Sequence, residues 1–151
     1  KGVSGAGAIT RFDASKFKTQ FACELKGWDA AEHFDRKEQR KLDPDAQYGI
    51  VAARQAVAHS GLAEAEPDPD RVGVIFGSGI GGILTFQQEI QNFVEGDGTP
   101  RFNPFFIPKM IGDIAAGHIS MECGFRGPNY ACVSACASAT NAIIDAFKAI
   151  R

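Results

Sequence analysis

Apolar positions change period several times along this chain, and each change marks a structural element. Ile50, Val51, Val57 and Ala58 face inward on a helix running from Pro44 or Asp45 to Ser60, with Gly61 as its stop. Pro67-Asp68-Pro69-Asp70 reads as a loop, and the alternation from Arg71 to Phe76 predicts a strand. Ile83, Phe86, Ile90 and Phe93 share one face of a helix from about Gly82 to Glu95, ended by Gly96. Ile111, Ile114, Ala115, His118 and Ile119 mark another helix. Asn129 to Ser134 alternates small, β-branched and aromatic residues, as a buried strand does. Helical spacing then returns at Ala139, Ala142, Ile143, Ala146, Phe147 and Ile150. Residues 1 to about 44 are mixed, with aromatics at Phe12, Phe17, Phe21, Trp28 and Phe34. Strands alternating with helices predict an α/β layered fold.

Composition narrows the class without naming a function. The 151 residues suffice for one sizeable core, and 44% hydrophobic with 23% charged residues is ordinary for a globular protein. A net charge of −2 argues against a nucleic-acid-binding protein. No apolar run approaches the roughly 20 residues of a membrane span, and no signal peptide is visible. Cys23, Cys123, Cys132 and Cys136 are too few and too loosely spaced for a disulfide scaffold, so cytosolic thiols are expected. His118 with Cys123, Cys132 and Cys136 lacks any paired C-x-x-C spacing, which argues against a metal site. No repeat, low-complexity tract or linker suggests a second complete domain.

Three places carry candidate chemistry. Cys136 falls where the strand breaks into the helix, on the helix's first turn, where unpaired N–H groups and the helix dipole favour thiolate. A thiolate there can attack a carbonyl while neighbouring N–H groups hold the oxyanion. Ser134, Ala135, Ala137, Ser138 and Ala139 leave room for a substrate. On residues alone, an inert buried thiol is the competing reading. Gly77-Ser78-Gly79-Ile80-Gly81-Gly82 satisfies G-x-G-x-x-G between a strand and a helix, the context of a dinucleotide turn. The acidic residue that should confirm it, Asp97, lies in a loop. Arg36, Lys37, Arg40 and Lys41 form a basic run in which 36 and 40, and 37 and 41, share a helical face. Such a run is either a solvated surface or a docking patch for an acidic partner.

Four stretches together are similar to a known family. Arg126-Gly127-Pro128-Asn129 followed by Val133-Ser134-Ala135-Cys136-Ala137-Ser138 resembles the active-site segment of the β-ketoacyl-acyl carrier protein synthases. Arg36 to Lys41 running to Gln47-Tyr48-Gly49-Ile50-Val51 agrees with it, as do the Gly77–Gly82 run and Asn103-Pro104-Phe105-Phe106-Ile107-Pro108. All four occur in the order and spacing of the synthase II branch of bacterial fatty acid synthesis, and the resemblance covers essentially the whole chain.

The resemblance implies a thiolase-like layered αβαβα fold. It also implies that this chain is most of the N-terminal half of one domain, with the first strand and the whole C-terminal half absent. Cys136 is then the nucleophile that takes an acyl group from acyl carrier protein. Malonyl carrier protein loses carbon dioxide, and its enolate attacks the thioester. Ile80 matches the position that gates the acyl chain, and Phe106 the one that reaches towards the partner subunit's acyl pocket. Lys37, Arg40 and Lys41 match basic residues that dock acyl carrier protein. Nucleotide binding by the glycine run loses its support, because the run matches a segment lining the acyl pocket. No cofactor is implied beyond the phosphopantetheine that carries the fatty acyl and malonyl thioesters. A cytoplasmic homodimer is implied, with no membrane or nucleic-acid partner. The family's two catalytic histidines and its lysine belong to the later half, and His33, His59 and His118 match none of them. Cys132 departs from the pattern, standing where a threonine or another small residue is expected. The rival readings are a polyketide ketosynthase, a thiolase, or an inactive piece that only binds carrier protein.

Overall fold

Asp43 starts the fold's main helix in the way its sequence dictates. Its Oδ1 accepts the Asp45 N–H at 3.1 Å, Pro44 occupies the first position, and Gly61 ends the helix at φ 68°. The computed structural model describes residues 2–151. In chain order these form a short hairpin, β1 (Gly7–Ala8) and β2 (Phe21–Ala22), then α1 (Arg36–Gln39) and α2 (Pro44–Ser60). They continue as β3 (Val74–Gly77), α3 (Ile83–Glu95), α4 (Phe106–Met110), α5 (Ile114–Cys123), β4 (Asn129–Cys132) and α6 (Ser138–Ile150).

β3 and β4 pair in parallel, with Val74 opposite Asn129 and Gly77 opposite Cys132. Side chains alternate across a strand, so Phe76 and Gly77 face opposite sides of this pair. Phe76 meets α2 and α5, where Phe34, Leu42, Ala46, Ile50, Val51, Ala115 and Ile119 form the core. Gly77 faces α6 so closely that a Cβ there would stand 2.6 Å from the backbone of Ser138 and Ala139. The order is therefore helices, sheet, helix. Gly77→Ala pushes α6 off the strand and is expected to cost about 2–3 kcal/mol, read as a lowered urea midpoint.

The layered α/β reading holds, while several boundaries move. The strand expected over Arg71–Phe76 is Val74–Gly77, because Asp68 caps a 3-10 turn at Pro69–Arg71 that delays it. The strand expected through Ser134 stops at Cys132, since the Ser134 N–H turns to the Ser138 hydroxyl instead of a ladder. The helix expected from Ile111 begins at Ile114, and Ile111 caps α4. Ala58, expected inward, is exposed and Val57 only half-buried, because α2 buries residues in its first two turns alone. The basic run forms a single turn: α1 ends at Gln39, Arg40 caps it in right-handed helical conformation, and Lys41 lies beyond it.

Much apolar surface stays open. The accessible area is 10804 Å², against about 7,400 Å² for a self-contained monomer of this mass. Ile83, Phe86, Ile90 and Phe93 on α3, and Ile143, Phe147 and Ile150 on α6, are all more than a third exposed.

Candidate active site

The turn from β4 into α6 is built by backbone strain and one buried hydroxyl. Beyond Cys132 the chain bends through Ser134 (φ −150°, ψ 46°) and Ala135 (φ 49°). A residue with a Cβ in that left-handed region costs about 1–2 kcal/mol, so the neighbourhood has to hold it. A 3-10 turn over Ala135–Ala137 leads directly into α6. It closes through the Ala137 N–H to the Ser134 carbonyl at 3.0 Å and the Ser138 N–H to the Ala135 carbonyl. The Cys136 N–H takes part in neither bond. Cys136 is exposed in this chain.

Cys132 has a different setting. It is half-buried and its Sγ donates to Asp145 Oδ2 at 3.3 Å. Burial, then the Asp145 carboxylate, push its thiol above the usual range, because both disfavour the thiolate. Two thiols four residues apart thus differ in both access and charge environment.

The glycine run lies against this turn. A Cβ on Gly79 would stand 3.3 Å from the Ala135 carbonyl oxygen, so the two loops touch through backbone. Ser78, buried, donates to Asp45 Oδ2 at 3.1 Å and accepts the Gly81 N–H at 3.1 Å. The Gly82 N–H goes to the Met110 carbonyl at 3.0 Å. Asp43 Oδ2 takes the Thr85 N–H at 2.8 Å and its hydroxyl at 2.6 Å. A bound phosphate would need these N–H groups, and the protein uses them itself. A carboxylate also sits where a pyrophosphate would. The motif is a structural loop, and the dinucleotide reading falls on geometry. Ile80, at its tip, is 73% exposed. It borders a cleft of about 350 Å³ shared with Tyr48 and Leu84.

Phe106 opens α4 inside an aromatic row. Its ring stacks on Phe102 at 5.6 Å and lies 6.2 Å from Phe86, while Phe93 stands 5.5 Å from Phe102. Asn103 fixes the turn, its Oδ1 accepting the Phe105 N–H at 2.8 Å. Lys37, Arg40 and Lys41 are all exposed. The Lys41 ammonium stands 5.7 Å from the centre of the Phe105 ring, joining the basic face to α4. Contacts therefore run from Lys41 to α4, on to Gly82 and Gly79, and end at Ala135 beside Cys136. His118 lies apart, on α5, in a cavity of about 340 Å³ with Phe34, Glu38, Lys41 and Glu122. Burial pushes its pKa down, partly opposed by Glu122. Among the described residues, no group of three or more His, Cys, Asp or Glu is placed to hold a metal.

Sequence reasoning missed the polar residues that hold the loops: Asp43, Asp45, Ser78, Thr85 and Ser138. Asp43 alone had a readable signal, since an aspartate before a proline at a helix start is an N-cap pattern.

All 151 residues match the family model for the β-ketoacyl synthase N-terminal domain. The chain belongs to the β-ketoacyl synthase family. Over 151 residues it is 44% identical to the 3-oxoacyl-[acyl-carrier-protein] synthase 2 of Staphylococcus aureus, covering 100% of this chain and 37% of that protein. It therefore spans little more than a third of the length of such curated relatives. A β-ketoacyl synthase from Burkholderia phymatum superposes with TM-score 0.75 over 97% of this chain and 36% of that one, at 24% identity. A chain from a solved complex of a type II polyketide acyl-carrier protein with its ketosynthase, bound to the hexaketide, gives TM-score 0.74 at 28% identity. It covers 83% of this chain and 36% of its own. The thiolase-like layered reading of the fold agrees with both ketosynthase structures.

Proposed function

We propose that the protein is a condensing enzyme of fatty acid elongation, a β-ketoacyl-acyl carrier protein synthase whose nucleophile is Cys136. The observation that carries this reading is an exposed thiol on a strained strand-to-helix turn, at the start of α6. The thiolate attacks the acyl carbonyl of an acyl-carrier-protein thioester. The bond from Cys136 Sγ to the acyl carbon forms, and the bond to the phosphopantetheine sulfur breaks. The departing pantetheine thiolate takes up the proton the cysteine lost. The uncommitted N–H of Cys136 points to one oxyanion donor. Malonyl carrier protein, once decarboxylated, supplies the carbanion that lengthens the chain by two carbons. Identity of 44% to a 3-oxoacyl-[acyl-carrier-protein] synthase supports fatty acid over polyketide elongation.

Ile80 and Phe106 border the acyl chain in this reading, and Lys37, Arg40 and Lys41 receive the acidic carrier protein. Changing those three to glutamate should raise KM for the carrier protein about tenfold or more and steepen the loss at low salt, with kcat changed little. A homodimer fits the bare apolar faces of α3 and α6, and a cytoplasmic setting is part of the same reading. Among the described residues, no helix is long and apolar enough to cross a membrane.

Intact mass of the full-length protein before and after incubation with an acyl-carrier-protein thioester tests the reading. Acyl mass mapped to Cys136, followed by carbon dioxide release with malonyl carrier protein, is the expected result. Acylation without carbon dioxide release would reduce the role to acyl transfer, and the same reaction with coenzyme A thioesters preferred would favour a thiolase.

A further inference from the structure

Ser138 is 3% exposed, and its hydroxyl spans the turn that presents Cys136. It accepts the Ser134 N–H at 2.9 Å and donates to the Ala135 carbonyl at 2.7 Å. Ala135 lies between those two bonds, at φ 49°. One side chain thus clamps both ends of the strained peptide immediately before the nucleophile. The neighbouring Ser134 hydroxyl is held separately, by Asn141 Nδ2 at 2.7 Å. Both bonds of the Ser138 hydroxyl go to the turn before α6, whose N-cap residue, Ala137, makes no side-chain capping bond.

We propose that Ser138 is a positioning residue for acyl transfer, holding Ala135 in its left-handed conformation and so aiming the Cys136 thiol and N–H. This inference rests on Cys136 being the nucleophile. Without the hydroxyl, the Ser134 N–H loses its partner and the Ala135 carbonyl keeps only the Ser138 N–H, so Ala135 can relax towards a right-handed conformation, which rotates the peptide joining it to Cys136. The N–H of that peptide then swings away from the position of the oxyanion, while the thiol stays in solvent. Alignment is lost and access is not.

That distinction sets the experiment. In the full-length protein, acylation of Cys136 by an octanoyl-carrier-protein thioester is compared with alkylation of the same thiol by iodoacetamide. Alkylation needs only an accessible thiolate, whereas acylation also needs the oxyanion donor in place. Ser138→Ala should slow acylation about 10- to 100-fold. It should leave alkylation within about threefold, and Ser138→Thr, which keeps the hydroxyl, should recover most of the acylation rate. Ser134→Ala, which removes only the exposed bond to Asn141, should have a much smaller effect. Equal loss of both reactions in Ser138→Ala, or no loss of either, overturns the positioning role. Failure of the threonine variant to recover acylation while remaining folded also counts against it. If the unaltered protein takes no acyl group on Cys136, the condensing-enzyme reading falls, and this inference with it.

Discussion

Replacing Cys136 with alanine should abolish acyl-enzyme formation, lowering the rate at least about 10⁴-fold. The effect is large because, in the proposed mechanism, the Cys136 sulfur is itself the atom that bonds to the acyl carbon, so nothing remains to accept the group. Cys132 does not stand in for it. Its sulfur is half-buried and donates to Asp145, and burial with that carboxylate raises its pKa. A raised thiol pKa means less thiolate at any given pH, so alkylation of Cys132 should be displaced to higher pH than for an ordinary free cysteine. At neutral pH iodoacetamide should therefore mark Cys136 well before Cys132. Cys132→Ala should keep acylation within about twofold. Acyl mass on Cys132 in the Cys136→Ala protein would contradict this assignment, and peptide mapping after the thioester incubation reads it directly.

The legibility of this site in the sequence followed the range of the interactions involved. Helices α2, α3 and α6 were readable because apolar spacing and glycine stops act within a few residues, and these elements obey them. The position of Cys136 between strand and helix was equally local. What the pattern could not show was which hydrogen bonds end each element. β4 stops at Cys132 because Ser138, four residues after Ser134, takes the Ser134 N–H. Nothing in the hydrophobic alternation records that exchange. The glycine run shows the same limit from the other side. Its spacing satisfied a phosphate-binding motif, and only the hydrogen-bond partners of Gly81, Gly82 and Thr85, two of them distant in sequence, exclude it. The basic run was read as a helical face, but its helix is one turn long, and Lys41 instead reaches the Phe105 ring. The family was legible earlier than the geometry, through four motifs whose order no single period explains.

Asp43→Ala should be the most damaging change away from the thiol, costing about 3–5 kcal/mol of stability. Asp43 is 2% exposed, and its carboxylate accepts from the Asp45 N–H, the Thr85 N–H and the Thr85 hydroxyl. Alanine deletes the cap of α2 and leaves two donors at the start of α3 without a partner in a dry site. Those unsatisfied groups carry most of the cost, since a buried donor loses its bond without regaining water. Asp43→Asn keeps one acceptor oxygen of the same shape, and its cost should stay near 1 kcal/mol. Urea denaturation of the two variants separates them, and equal midpoints would show that the carboxylate's bonds contribute little. The consequence for the site follows from what Asp43 joins. It ties α2 to α3 at the foot of the glycine run, whose other support is the Asp45–Ser78 bond. With Asp43 gone, the run keeps that bond and its contacts with Ala135 and Met110, but the tie between the start of α2 and the start of α3 is lost. Below the unfolding midpoint, acylation of Cys136 should fall by less than about tenfold, far less than in Cys136→Ala. A carboxylate that fixes the fold and a thiol that does the chemistry should thus separate cleanly, one in the denaturation curve and the other in the acylation rate.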